Sequence, residues 1–299
     1  MLPVIICFSN FGYKDFADNF MCNIIHKIKN HKVVYYCLDD QIYTYLTERY
    51  SNIDNISIER YENTADESIT EFANFGTQEF AKITDVKLKL IKDALMKYEF
   101  IHVVDADIVF VQEPDLDYHK KYELYDIVYQ NDMPYGQKSE FSIWTCTGNW
   151  TLRNTEATRR FLDNIAEFKN KNPSIDEQTA QRLLFVSKEI TDIREYPYAK
   201  LYEFPVSEFV CGYYITNNFI DINRALVVHA NHVVGKENKI NLLRKIGYWY
   251  DTTTRTPCEA QYALPPVPVP TISQHTESSS AQTPSGLRMF RNGRYSRRN

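Results

Sequence analysis

FIHVVDADIVFVQEP, residues 100–114, is an apolar strand-like run broken by two carboxylates, Asp105 and Asp107. Residues at i and i+2 of a strand point to the same side, so both carboxylates can face one cation. Two ionised carboxylates among β-branched neighbours are costly to bury unless paired or metal-bound. The run therefore calls for a divalent metal, and the metal in turn for a phosphate-bearing ligand.

Upstream, residues 79–98 place Phe80, Leu88, Ile91, Ala94, Leu95 and Tyr98 on one helical face. Lys87 falls in the middle of that face. It either snorkels to the edge or reaches over the sheet towards an anionic ligand near Asp105 and Asp107. The chain begins with a strand at Val4–Ser9, a helix over 15–29, a strand at Lys32–Leu38 and a helix over 41–49. This β-α-β-α order is the signature of a parallel α/β sheet, whose ligands lie beyond the carboxyl ends of the strands. Ser9, Asn10 and Asp39 sit at such ends, where they also suit plain turns and caps. Residues 51–78 are polar, with a short strand expected near Ile56–Arg60 and then a loop.

Downstream, strands are expected at Asp126–Tyr129, entering Gln130-Asn131-Asp132, and at Phe141–Thr147, closed by Gly148-Asn149. Helices are expected over 154–169 and over Ile175–Val186, separated by Asn172-Pro173. The first turn of the second carries Asp176, Glu177 and Gln178, a place where carboxylates often only complement the helix dipole. A strand and a Gly212 turn follow within 201–215. RALVVHA, residues 224–230, is a late strand that delivers His229, followed by Asn231, His232, Gly235, Lys236 and Lys239.

The formal net charge of −5 is unevenly spread. Residues 252–299 hold six arginines against Glu259 and Glu277, giving +4 and leaving −9 for the rest. An acidic body argues against nucleic acid as a ligand. Residues 252–299, with Pro-Val-Pro repeats and Ser/Thr/Gln runs, read as a disordered tail with a basic end. The six cysteines show no CxxC pattern, which fits a reducing, cytoplasmic setting. The apolar run at the start is too short for a membrane span.

Two enzyme classes explain an apolar strand ending in Asp-Ala-Asp. One is a metal-dependent glycosyltransferase of the GT-A type, in which Mn²⁺ or Mg²⁺ bridges the phosphates of a nucleotide sugar and offsets charge on the leaving diphosphate. The other is a haloacid-dehalogenase-like phosphatase, with Asp105-Ala-Asp107-Ile-Val109 as its motif and Asp105 as nucleophile. The phosphatase needs a downstream acidic pair, and residues 140–250 offer no convincing one. The transferase can use His229 as a third ligand. A catalytically dead relative that binds sugars or a partner is a third reading.

Over residues 4–250 the sequence also resembles the nucleotide-diphospho-sugar transferases that include plant rhamnogalacturonan xylosyltransferases and extensin arabinosyltransferases, numbered glycosyltransferase family 77. The resemblance lies in FSNFGYKDFADNF, Lys87, VVDADIVFVQEP, TGNWTLRNTEATRRFL, DEQTAQRLL and VVHANHVVGKENK followed by GYW. It implies an α/β GT-A fold over 1–251 with a mostly parallel sheet flanked by helices. It further implies a UDP-type sugar donor, Mn²⁺ or Mg²⁺, a glycan or glycoprotein acceptor, and retention of anomeric configuration. By the same resemblance Asp105 and Asp107 bind metal and diphosphate, and His229 is the third ligand. Lys87 and the loop of Gly235, Lys236 and Lys239 approach the phosphates, Ser9 and Asn10 contact the nucleotide, and Asp176, Glu177 and Gln178 lie near the reacting sugar.

Three positions depart from the family pattern. Cys146-Thr147-Gly148 stands for Asn-Thr-Gly, Glu177-Gln178 for Asp-Gln, and His232 for a frequent Trp. His232 thereby becomes a competitor of His229 for the metal.

Overall fold

The computed structural model describes residues 1–62, 70–132 and 143–250. The expected tail at 252–299 lies outside them, as do residues 141 and 142 of one expected strand. The chain opens with β1 (Val4–Ser9), α1 (Lys14–Lys27), β2 (Val33–Cys37), α2 (Asp40–Tyr50) and β3 (Ile56–Arg60). The long helix α3 (Gln78–Lys97) leads into β4 (Phe100–Val104), β5 (Ile108–Phe110) and α4 (Leu116–Lys120). Then come β6 (Ile127–Asn131), β7 (Thr145–Arg153), α5 (Glu156–Lys171), α6 (Glu177–Ser187) and β8 (Leu201–Glu203). The described part ends with β9 (Phe209–Cys211), α7 (Gly212–Thr216), β10 (Val227–His229) and α8 (Lys236–Lys245).

Seven strands form one sheet in the order β3-β2-β1-β4-β7-β6-β8. Only β7 runs against its neighbours, so β1, β4 and β6 all point to the same edge. This is the mostly parallel, helix-flanked sheet that was expected. Its central strands are buried on both faces, as a sheet covered by helices requires. Along β1 and β2 the side chains alternate: Ile5, Cys7, Val33 and Tyr35 enter one core, shared with α1 and α2. Ile6, Phe8, Val34 and Tyr36 enter the other, shared with α3, α5 and α6. The helices start where side-chain oxygens satisfy free backbone N–H groups: Asp39 accepts from Ile42 N, Thr77 from Phe80 N, Thr155 from Thr158 N and Asp176 from Thr179 N.

Buried polar groups cross the sheet under the site. His102 on β4 lies 2.7 Å from Asn149 Oδ1, and Asn149 Nδ2 donates to Gln130 Oε1 at 2.9 Å. Burial pushes the His102 imidazole down to about 4, against a weaker upward pull from Asn149.

Two expectations are corrected. The run 100–114 is not one strand: the chain leaves the large sheet after Val104, and β5 joins a second sheet of order β5-β10-β9. Asp105 and Asp107 therefore converge on a turn rather than through the pleat of a strand. Gly148 and Asn149 do not close a strand either, because β7 continues through both.

Candidate active site

The turn after β4 is where the two sheets part, and everything of chemical interest gathers around it. β10 pairs antiparallel with β5 in a register that sets His229 opposite Ile108. This brings His229 Nε2 to 3.2 Å from Asp107 Oδ1 and 3.9 Å from Asp105 Oδ2. Among the described residues Asp105, Asp107 and His229 form the group able to hold a metal ion, each offering a ligand atom within 4.8 Å of the others.

Two features of the cradle fit a cation. Its donor set, two carboxylates and an imidazole, suits a divalent first-row metal. The strand behind it is cut back to glycine at 148, where an added Cβ would stand 2.4 Å from Asp105 Oδ2 and 2.5 Å from His229 Cε1. The Asp105 N–H donates to Gly148 O at 2.8 Å, so strand and turn are held together at this point.

Ammonium groups balance the acids. Lys87 does not snorkel: it is 3% exposed and reaches over the sheet into the cavity wall, with Nζ 3.0 Å from Asp105 Oδ1 and 2.9 Å from Glu177 Oε1. Burial alone would lower its pKa, but Asp105 and Glu177 together raise it above the usual lysine value. Lys239 Nζ lies 2.5 Å from Asp107 Oδ2. Burial would raise the Asp107 carboxyl, yet Lys239 and His229 hold it far below the usual carboxylate range.

A cavity of about 410 Å³ opens over this cluster. Ser9, Asn10, Gly235, Lys239, Asp176, Glu177 and Gln178 all line it. Gly235 starts α8 at φ +94, a conformation that glycine adopts without strain. Asn10 donates to Glu71 O at 2.9 Å, while its Oδ1 is buried without a hydrogen-bond partner. Beside it the Tyr13 and Phe72 rings pack 4.5 Å apart, centroid to centroid.

Three nominated residues are engaged by partners outside the metal cluster. Asp39 is taken up by the backbone: Oδ1 accepts from Ile42 N at 2.8 Å and Oδ2 from Phe11 N at 2.7 Å, which fixes the turn after β1. Lys236 Nζ pairs with Asp15 on α1 at 2.6 Å. His232 lines the cavity but does not join the metal cluster, because its Nε2 lies 3.0 Å from Asp132 Oδ1.

The acids at the start of α6 have defined partners. Asp176 caps the helix, with Oδ1 accepting from Thr179 N and Oδ2 from Thr179 Oγ1. Glu177 also accepts from Thr147 Oγ1 at 2.9 Å. Gln178 Oε1 accepts from Thr147 N at 3.1 Å, and its Nε2 donates to Asp132 Oδ2 at 3.0 Å. Fully buried Lys169 secures this corner: Nζ donates to Ile175 O at 2.8 Å and Ala81 O at 2.9 Å and pairs with Asp85 at 2.8 Å. It thereby ties the entry of α6 to α3, the helix that carries Lys87.

Asp132, Thr147 and Asn231 stand in the sequence motifs above but were given no role in the site. For Asp132 a signal existed, since it follows β6 at the same sheet edge as Asp105 follows β4, the edge where α/β ligands bind. Thr147 and Asn231 lie in stretches that carry the family resemblance, but their partners come from long-range contacts.

The sequence profile of the nucleotide-diphospho-sugar transferases matches residues 29–243, well over half of the chain. No curated protein matches it by sequence. Among solved structures the chain is similar to an active-site mutant of LgtC, at 10% identity and a TM-score of 0.52, covering 75% of this chain and 86% of that one. It is similar to the bifunctional glycosyltransferase WbbM at 11% identity and a TM-score of 0.51, covering 81% and 49%. For apo GlyE of Streptococcus pneumoniae TIGR4 the identity is 9%, the TM-score 0.51 and the coverage 77% and 54%. The chain thus spans about half the length of WbbM and GlyE. At these identities the likeness is one of fold.

Proposed function

Because the chain belongs to the nucleotide-diphospho-sugar transferase family, we propose that it moves a sugar from a uridine-diphosphate donor to a hydroxyl of a glycan or glycoprotein, with a divalent cation bound. The observation that carries this reading is the convergence of Asp105, Asp107 and His229 beneath one cavity, with Lys239 beside them. Asp105, Asp107 and His229 would hold the cation, and the imidazole among these donors favours Mn²⁺ over Mg²⁺. When bound, such a cation supplies Lewis-acid neutralisation of charge on the leaving diphosphate.

This chain's own groups perform the rest. Lys239 and the backbone at Gly235 face the phosphates. Ser9 and Asn10 take the nucleoside, with the unpartnered Asn10 Oδ1 as acceptor for a base or ribose donor and the Tyr13–Phe72 pair as its wall. Glu177 and Gln178, braced by Lys87 and Thr147, orient the transferred sugar. Retention of configuration follows from the resemblance to the family-77 enzymes. The side-chain partners favour a front-face route over a covalent one: Asp176 is engaged as a helix cap and Glu177 by Lys87, so neither is poised as a nucleophile. In that route the departing diphosphate takes the acceptor proton.

The phosphatase reading gives way to the family match. We assign transfer to residues 1–251. A cytoplasmic site of action is supported by the buried cysteines among the described residues, which are thiols rather than disulfides. None of the described helices is long and apolar enough to cross a membrane.

The test is a thermal-shift screen of UDP, GDP and their sugars with and without Mn²⁺, since a ligand of the folded state raises Tm by mass action. A Mn²⁺-dependent rise with a uridine nucleotide, lost in Asp105→Ala, is expected. No rise with any nucleotide, or nucleotide-free hydrolysis of an aryl phosphate, would overturn the reading.

A further inference from the structure

The carboxyl edge of the large sheet presents three stations in spatial order. β1 ends at Ser9, β4 ends before Asp105, and β6 ends before Asp132, and all three strands point the same way. A donor with its diphosphate at Asp105 and Asp107 and its nucleoside towards β1 extends its sugar towards β6. What stands after β6 therefore meets the sugar or whatever attacks it.

There Asp132 gathers side chains from two other segments. Its Oδ1 accepts from Asn231 Nδ2 at 2.5 Å and from His232 Nε2 at 3.0 Å, and its Oδ2 accepts from Gln178 Nε2 at 3.0 Å. His232 Nε2 also lies 2.8 Å from the Asp132 backbone oxygen. With Nε2 so committed, Nδ1 is the ring atom left without a partner among the described residues, on a side chain 23% exposed in the cavity wall. His232 has φ +59, in the left-handed region. For a residue other than glycine this costs on the order of 1 kcal/mol and clusters at functional sites. The pair is close to the metal cradle: His229 Nδ1 is 3.5 Å from Cys146 Sγ, which is 3.7 Å from Asn231 Nδ2.

Resting on the transferase reading above, we propose that His232, clamped by Asp132, docks the acceptor, with Nδ1 hydrogen-bonding a hydroxyl of a sugar-like acceptor beside the one that attacks. Asp132 is the positioning residue: it fixes the ring and commits Nε2, so that Nδ1 faces the cavity. The buried Asp132 supports the donor-side Gln178, while the half-open His232 is at the rim, where an acceptor enters. The raised His232 pKa, in which the Asp132 hydrogen bond and charge outweigh burial, is consistent with a ring that donates from both nitrogens.

The test uses the full chain and His232→Asn, because asparagine tolerates the left-handed backbone. UDP release is measured from a panel of UDP-sugars in Mn²⁺, once with water as the sole acceptor and once with p-nitrophenyl glycosides. The variant should keep UDP binding and donor hydrolysis within about twofold, while kcat/KM for transfer falls about 10- to 100-fold, chiefly through acceptor KM. Equal loss of hydrolysis and transfer would assign the pair to the donor sugar and overturn the proposal, as would unchanged transfer. A second readout is the His232 ring resonance, identified by its absence in the variant. It should shift when a glycoside is added to the chain with UDP and Mg²⁺, and no shift would overturn the proposal. A wild-type chain that neither binds a nucleotide nor transfers a sugar would refute the transferase reading itself, and this inference with it.

Discussion

Replacing Gly148 by alanine adds one carbon at the place where the metal cradle is tightest. The new Cβ would stand 2.4 Å from Asp105 Oδ2, 2.5 Å from His229 Cε1 and 3.0 Å from Asp105 Cγ. Comfortable contacts to carbon begin near 3.5 Å, so both ligands must retreat by about 1 Å. Metal sites tolerate about 0.2 Å in ligand distance, so Asp105 and His229 cannot both remain ligands. Even mutations one shell further out lower affinity by about 10- to 100-fold, and a loss of at least about 100-fold is expected here. The fold should survive. Overpacking costs about 1–3 kcal/mol, partly offset by the roughly 0.4–1 kcal/mol that alanine contributes by restricting the unfolded chain. A net loss of about 1–2 kcal/mol lowers Tm by roughly 2–8 °C in a domain of this size. Titration calorimetry with Mn²⁺, alongside thermal melts of the metal-free protein, separates the two effects. If Gly148→Ala bound Mn²⁺ with wild-type affinity, the assignment of the cradle would be wrong.

Lys87→Met leaves buried Glu177 and the neighbouring Asp105 without their shared ammonium, and should cost about 3 kcal/mol in the metal-free protein. Mn²⁺ should then raise the Tm of the variant more than that of the wild type, and an unchanged metal-free Tm would contradict the pairing. Lys169→Met strands two carbonyls and loosens the entry of α6 from α3. A stability loss of about 2–4 kcal/mol is expected, with slower turnover and little change in Mn²⁺ affinity measured by calorimetry. His102 is held at about 4 by burial, below its unfolded value of 6.5. It therefore contributes stability that is fully present above pH 6.5 and is lost as pH falls from there towards 4, up to about 3 kcal/mol. Melts across that window should show the decline, with a shallower slope in His102→Gln.

Much of the fold was legible because its elements obey simple periods. The β-α-β-α opening, the helix beginning near residue 79 and the strand ending at His229 all stand where apolar spacing put them. The misreadings share a cause: local pattern cannot tell which partner a strand will find. VV-DAD-IVF looks like one strand because both halves are apolar, yet the second half pairs with β10 in another sheet. Gly148 looks like a stop, but it serves close approach inside a continuous strand. The same holds for the site. Asp105, Asp107 and His229 were visible as acids and imidazole at strand ends, whereas Asp39 has the same position and is engaged by two backbone N–H groups. Asp132 also follows a strand at that edge, but its partners became visible only when α6 and the segment after β10 were seen to converge on it.

The cradle also has a consequence for how the chain reaches its native state. Lys239 and Asp107 are 132 residues apart, and Cys146 and His229 are 83 apart. No stretch of local sequence can assemble the ligand set, which exists only once β5 has found β10. Such pairings of high sequence separation form late, after the entropy of closing long loops has been overcome. A cation that recognises only this arrangement would leave the rate of refolding almost unchanged and slow the rate of unfolding, so the metal would act as a latch set after the two sheets have met.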